Sequence, residues 1–115
     1  MTKEQLKIVA TDLLEGRIHS GLVITEYPTK DFVETAEVVA GLSSCRIVNS
    51  DRTIFVNGGQ LMFGRIDNMQ DCHLHAGRRF NAIYINSYRL GCDEFLYMSS
   101  RLRGGEGQRN YIELL

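Results

Sequence analysis

The sequence predicts a single α/β domain, a sheet of mixed direction with a β-hairpin and three flanking helices, and three observations carry that expectation. Amphipathic stretches at helical spacing alternate with short apolar, β-branched runs, the order expected of helices packed on a sheet. An Asn57-Gly58 pair between two such runs marks a tight hairpin, which adds antiparallel pairing. The length, 115 residues, suits one domain, and 43% hydrophobic with 23% charged residues is the balance of a chain that folds around one core.

Each element has a local cause. Thr2-Lys3-Glu4-Gln5 has the form of a capping box, with Leu6, Val9, Ala10, Leu13 and Leu14 at helical spacing and Gly16 as a stop, so the first helix is expected over 3–15. Leu22 to Tyr27 is an apolar, β-branched run cut off by the only proline, Pro28, and reads as a buried strand. In the second helix Phe32, Val33, Ala36, Val39 and Ala40 face inward and Glu34 and Glu37 outward; Asp31 sits in the first turn, where the helix dipole favours it, and Gly41 ends it. Arg52–Val56 and Gln60–Ile66 are the arms of the hairpin, and Asn57-Gly58-Gly59 its tip, because Asn and Gly tolerate the positive φ of a tight turn. Residues 67–77 are expected as a polar loop, Phe80–Asn86 as a strand, and 93–103 as the third helix, with Asp93 and Glu94 at its start, Arg101 and Arg103 at its end, and Gly104-Gly105 closing it. Tyr111–Leu115 supplies a last strand.

Charge is unevenly spread. The net charge is −1, yet residues 1–41 carry four basic and seven acidic side chains while residues 77–109 carry six arginines and three acids. Beyond Lys30 every basic residue other than histidine is arginine, the side chain suited to bidentate contact with phosphate or carboxylate. Arg78, Arg79, Arg89, Arg101 and Arg103 are therefore the candidate partner-binding residues, against the alternative that they pair with the acidic half of the chain. Together with Arg109 and interleaved with Tyr84, Tyr88, Tyr97 and Tyr111, they also match the composition of a nucleic-acid surface. No apolar run approaches the roughly 20 residues of a membrane span and the N-terminus lacks a signal-type stretch, so no membrane partner is expected. Three cysteines make a poor disulfide framework, which fits reduced thiols in a cytoplasmic setting.

The run TIFVNGGQLMFGRIDNMQDCHLHAGRRFNAIYINSYRLGCDEFLYMSSRLRGG resembles the region around the second nucleotide motif of phage terminase large subunits, where a hairpin, a polar loop, an apolar strand and a helix follow one another. The preceding GLVITEYPTKDFVETAEVVAGL is similar to an earlier strand and helix of helicase-like and terminase-like ATPases. The resemblance implies a P-loop NTPase-like fragment spanning residues 21–105. Both nucleotide motifs are missing from it. No Gly-Lys pair exists to hold phosphates, and the positions matching the acids at the end of the core strand are Asn86 and Ser87. Losing either motif removes several kcal/mol of transition-state stabilisation, so neither ATP hydrolysis nor a bound cofactor is expected.

Cys72, His73 and His75 form the densest set of metal-ligand types, with Cys45 or Cys92 as conceivable fourth ligands, but the second closely spaced pair of a zinc site is absent and no metal is expected. Cys72 beside His73 is no nucleophile pair either, since sequence neighbours in an extended chain point apart. The functional expectation is a non-catalytic binding or regulatory protein, phage-encoded by its resemblance, which modulates or inhibits a host nucleic-acid enzyme or defence complex from the host cytoplasm. Two alternatives compete with it: a nucleic-acid-binding accessory factor using the late arginines, and a terminase-type ATPase fragment completed by another chain.

Overall fold

The structure, a computed structural model, describes residues 1–103 and 109–115. Ten elements follow in order: α1 Lys3–Leu14, β1 Ser20–Thr25, α2 Pro28–Leu42, β2 Arg46–Val48, β3 Thr53–Val56, β4 Gly59–Gly64, α3 Met69–His73, β5 Ala82–Asn86, α4 Cys92–Ser99 and β6 Tyr111–Leu114. Six strands form one sheet in the order β2-β3-β4-β1-β5-β6. β4, β1, β5 and β6 run parallel, while β3 is antiparallel to both β4 and β2. The class is α/β with a mixed sheet, as the alternating pattern predicts.

Two apolar layers sandwich the sheet. Val23, Phe63, Ala82 and Tyr84 pack against Val9, Ala10 and Leu13 of α1 and Phe32, Ala36 and Val39 of α2. Leu22, Ile24, Ile83 and Ile85 pack on the other face with Cys72 and Met98. This double cover explains why the Leu22–Ile24 run is continuously apolar: a central parallel strand is buried on both sides.

The capping box is present, with Thr2 Oγ1 accepting from Gln5 N and Thr2 N donating to Gln5 Oε1. The hairpin is also where the sequence puts it, with φ of 51° at Asn57 and 82° at Gly58, so the turn is those two residues and Gly59 already belongs to β4.

Several boundaries differ. Two short elements go unpredicted: the three-residue β2, and α3, which converts half of the expected loop into a fourth helix capped by the Asn68 side chain. Neither is long enough to display a period. α2 runs through Gly41 to Leu42, because Gly41 takes no positive φ and the chain turns extended only at Ser43. Val33 and Ala40 are exposed, and Thr35 takes an inward position instead, its hydroxyl donating to the Asp31 carbonyl. α4 stops at Ser99 rather than Arg103: the Phe80 and Leu102 backbones pair as a parallel bridge and draw the chain off the helical path. The expected Gly104-Gly105 stop lies outside the described residues.

Candidate functional site

The carboxyl edge of the parallel strands is where an open α/β sheet ordinarily presents its ligands, above all where neighbouring strands send their connections to opposite faces. β1 and β5 meet that description: α2 leaves β1 over one face and α4 leaves β5 over the other. A cleft of about 490 Å³ opens there, lined among others by Glu26, Tyr27, Asn86, Ser87 and Tyr88. The structure thus brings both degenerate nucleotide-motif positions to the switch point. Asn86 ends β5 opposite Thr25, and the Ser87 hydroxyl donates to Glu26 at 2.8 Å.

What surrounds them is already paired. Arg89 Nε lies 3.2 Å from the other Glu26 oxygen and Arg89 Nη1 lies 3.9 Å from Asp67. Among the described residues Arg89 is the one of the five candidate arginines that meets an acid, and it joins the acidic half of the chain to the arginine-rich half. The β1–α2 connection contains only Glu26 and Tyr27. α2 begins with Pro28, which has no N–H to offer, and the fully buried Asp31 carboxylate accepts from the Thr25 hydroxyl and from the Met1 amine at 2.9 Å. A carboxylate therefore occupies the helix start where a phosphate-binding fold places its anion.

The opposite, amino edge is built differently. Asn81, buried to 1% exposure, accepts from His19 N and Ser20 N and donates to the carbonyls of Arg17 and Arg109. One amide thereby uses all four of its hydrogen-bonding positions to tie the entries of β1, β5 and β6 together. Nearby, the Tyr84 hydroxyl donates to Asp12 at 2.6 Å and meets the Tyr111 hydroxyl at 2.6 Å. Burial, and then the Asp12 contact, push the Tyr84 phenol far above its ordinary range, so it stays a neutral donor. No sequence signal singled out Asn81 or the contact of Tyr84 with Asp12, because Asn81 reaches His19 and Ser20 across 62 and 61 residues and Tyr84 reaches Asp12 across 72.

Beside this hub the bridge between Phe80 and Leu102 turns both residues toward the core. Arg79 precedes Phe80, Arg101 stands in the turn after α4 with its backbone N–H donating to the Met98 carbonyl, and Arg103 follows Leu102; the three line a single hollow of about 300 Å³ with Gly77 and Ser100. Gly77 takes a φ of 81°, the turn from which Arg78 and Arg79 emerge. Arg78 lines the adjoining groove with Arg79 and sends its guanidinium toward the Met62 sulfur. Among the described residues none of these four arginines pairs with an acid. The Arg101 guanidinium lies over the Tyr97 ring at 5.6 Å, and the His73 ring meets Tyr97 edge-on at 5.4 Å. Leu74 and Leu96, sequence neighbours of these two rings, are 73% and 65% exposed.

The expected helical placement of Arg101 and Arg103 is corrected by this geometry: α4 ends before both, with Arg101 in the turn that follows it and Arg103 beyond the Leu102 bridge, which is what gathers them with Arg79. Arg89 does not join them. It lies beyond the far end of β5, a five-residue strand of roughly 16 Å at about 3.3 Å per residue.

The remaining candidates point apart. Cys72 is buried with its thiol toward the Glu94 carbonyl, His75 packs edge-on against Phe80, and His73 faces Tyr97. Burial pushes the Cys72 thiol up and the His75 imidazole down. All three cysteines are unpaired, and among the described residues no three His, Cys, Asp or Glu side chains converge. Nor is any helix among them long and apolar enough to cross a membrane. Comparison of the chain with known protein families, with curated proteins and with solved structures finds no match.

Proposed function

We propose that this chain is a non-catalytic binding protein that engages an acidic protein partner through the arginine hollow, on a scaffold that resembles an eroded terminase-type ATPase. The observation that carries this reading is the gathering of Arg79, Arg101 and Arg103 around one hollow, with no acid paired to them among the described residues. Like charges held together without counter-charge cost the fold electrostatic energy, and an acidic partner recovers it. Tyr97 beside the arginines, with exposed Leu74 and Leu96 nearby, supplies the mixture of aromatic, arginine and apolar contacts in which protein interfaces concentrate their affinity. At the other edge, the two-residue β1–α2 connection and the paired Glu26 and Asp31 support a role without phosphoryl chemistry. The resemblance adds the expectation of a phage-encoded modulator or inhibitor of a host nucleic-acid enzyme or defence complex.

A nucleic-acid surface draws less support. Of the four tyrosines that interleave the arginines, Tyr84 is buried, Tyr111 is bonded to it and Tyr88 stands at the far edge, which leaves only Tyr97 beside the hollow. The test compares the wild-type chain with the triple change Arg79→Ala, Arg101→Ala, Arg103→Ala in capture from a host lysate, alongside titration with duplex DNA at two salt concentrations. The reading expects a protein captured by the wild type and lost with the triple variant. Capture unaffected by the three changes, or DNA binding with a steep salt dependence that the three changes abolish, overturns it.

A further inference from the structure

The arginine hollow has a charge and a donor pattern that narrow the partner further, and the inference rests on the binding reading given above. Three arginines line about 300 Å³. A single carboxylate offsets only one of their three charges and offers two oxygens. A phosphate monoester carries about −1.5 to −2 at neutral pH and presents three strong acceptor oxygens, the complement of several arginine forks at once. Arg101 Nε is buried with no hydrogen-bond partner, and buried donors in folded proteins are nearly always paired. Nε itself has no exposed surface, so an anion in the hollow is met by the outer nitrogens of the Arg101 guanidinium.

The surroundings favour a peptide as the carrier of that phosphate. Arg78, Arg79, Arg101 and Arg103 cluster at one edge of a chain whose net charge is −1, and the next hollow along that edge sets Asp12 and Glu113 beside Arg17 and Arg109, which interrupts a basic track for a polynucleotide to follow. The Arg101 guanidinium lies over Tyr97, whose ring meets His73 edge-on, and Leu74 and Leu96, the sequence neighbours of those two rings, are exposed and offer a surface for apolar residues that flank a modified side chain. We propose that the hollow formed by Arg79, Arg101 and Arg103 is a seat for a phosphorylated serine or threonine of the partner protein.

The experiment measures fluorescence anisotropy with three labelled degenerate peptide pools that differ only in the fixed central residue: phosphoserine, glutamate or serine. Inorganic phosphate and a duplex DNA serve as further ligands at physiological salt. The phosphoserine pool is expected to bind at least about tenfold more tightly than the glutamate pool and more tightly than inorganic phosphate, with the serine pool weakest. Arg101→Lys, which keeps the charge and loses the planar fork, is expected to weaken the phosphoserine pool by about tenfold while the melting temperature holds. Equal affinity for the phosphoserine and glutamate pools overturns the phosphate seat and leaves the acidic-partner reading standing. Inorganic phosphate binding as tightly as the phosphoserine pool overturns the peptide as its carrier. Failure of all three pools, or tighter binding of duplex DNA than of the phosphoserine pool, overturns both.

Discussion

The two edges of the parallel sheet solve the same problem in opposite ways. At the carboxyl edge, charged side chains meet one another: Glu26 with Arg89 and Ser87, and Asp31 with Thr25 and the Met1 amine. At the amino edge a neutral amide, Asn81, holds the strands together, and the nearby Arg79, Arg101 and Arg103 are left out of that work. The edge where α/β proteins usually do chemistry has thus spent its charges internally, and the opposite edge presents three arginines that pair with no acid among the described residues. A net charge of −1 conceals this segregation, because it sums two edges with different tasks.

The strongest way to break the comparison is to remove the hub. Asn81→Ala leaves two backbone N–H groups and two carbonyls without the buried amide that joins them, and the expected loss of about 3 kcal/mol, read by chemical denaturation, greatly exceeds the effect of any change at the arginines of the hollow. A loss below about 1 kcal/mol would mean that water replaces the amide and that the amino edge is held elsewhere.

Next in size is the hairpin that borders the sheet. Gly58 lies at a φ of 82°, where a β-branched residue is badly strained, so Gly58→Val is expected to cost at least about 1 kcal/mol. Gly58→Asn, whose side chain tolerates that region, should recover most of the loss. Equal melting temperatures for the two variants would remove φ as the cause.

A smaller effect concerns acid. His75 is buried against Phe80 with Nδ1 unpaired, and burial, then Arg78, lower its pKa below the ordinary 6.5, with Asp71 opposing. The unfolded chain therefore binds a proton more readily than the folded one. Stability from the neutral ring is complete above about pH 6.5 and is lost as pH falls toward the folded value. His75→Phe should flatten that part of the stability profile, and an unchanged slope assigns it to the carboxylates instead.

The smallest stability effect is expected at the candidate interface. Arg101→Ala with Arg103→Ala should change stability by no more than about 0.5 kcal/mol per site, as for surface positions generally, while partner capture falls sharply. Raised salt should act the same way, sparing the melting temperature and weakening capture. Should the pair prove as costly to the fold as Asn81, the two edges do not differ as described.

The sequence by itself determined the elements whose cause is local. The capping box at Thr2, the apolar stripe of α1, the continuous run of β1 and the Asn57-Gly58 turn each need only neighbours along the chain, so each is legible before any folding is known. It also determined which residue types were available for binding, since arginines without an acidic excess around them are visible in composition. Only the tertiary structure decided which of those arginines share a surface. Arg79 and Arg101 are brought together by the bridge between Phe80 and Leu102, residues 22 apart in the chain, and Arg89 is sent to the far edge by the intervening strand. Asn81 was invisible for the same reason. Its partners include backbone groups of His19, Ser20 and Arg17, and a side chain that bonds another segment's backbone leaves no pattern in its own neighbourhood.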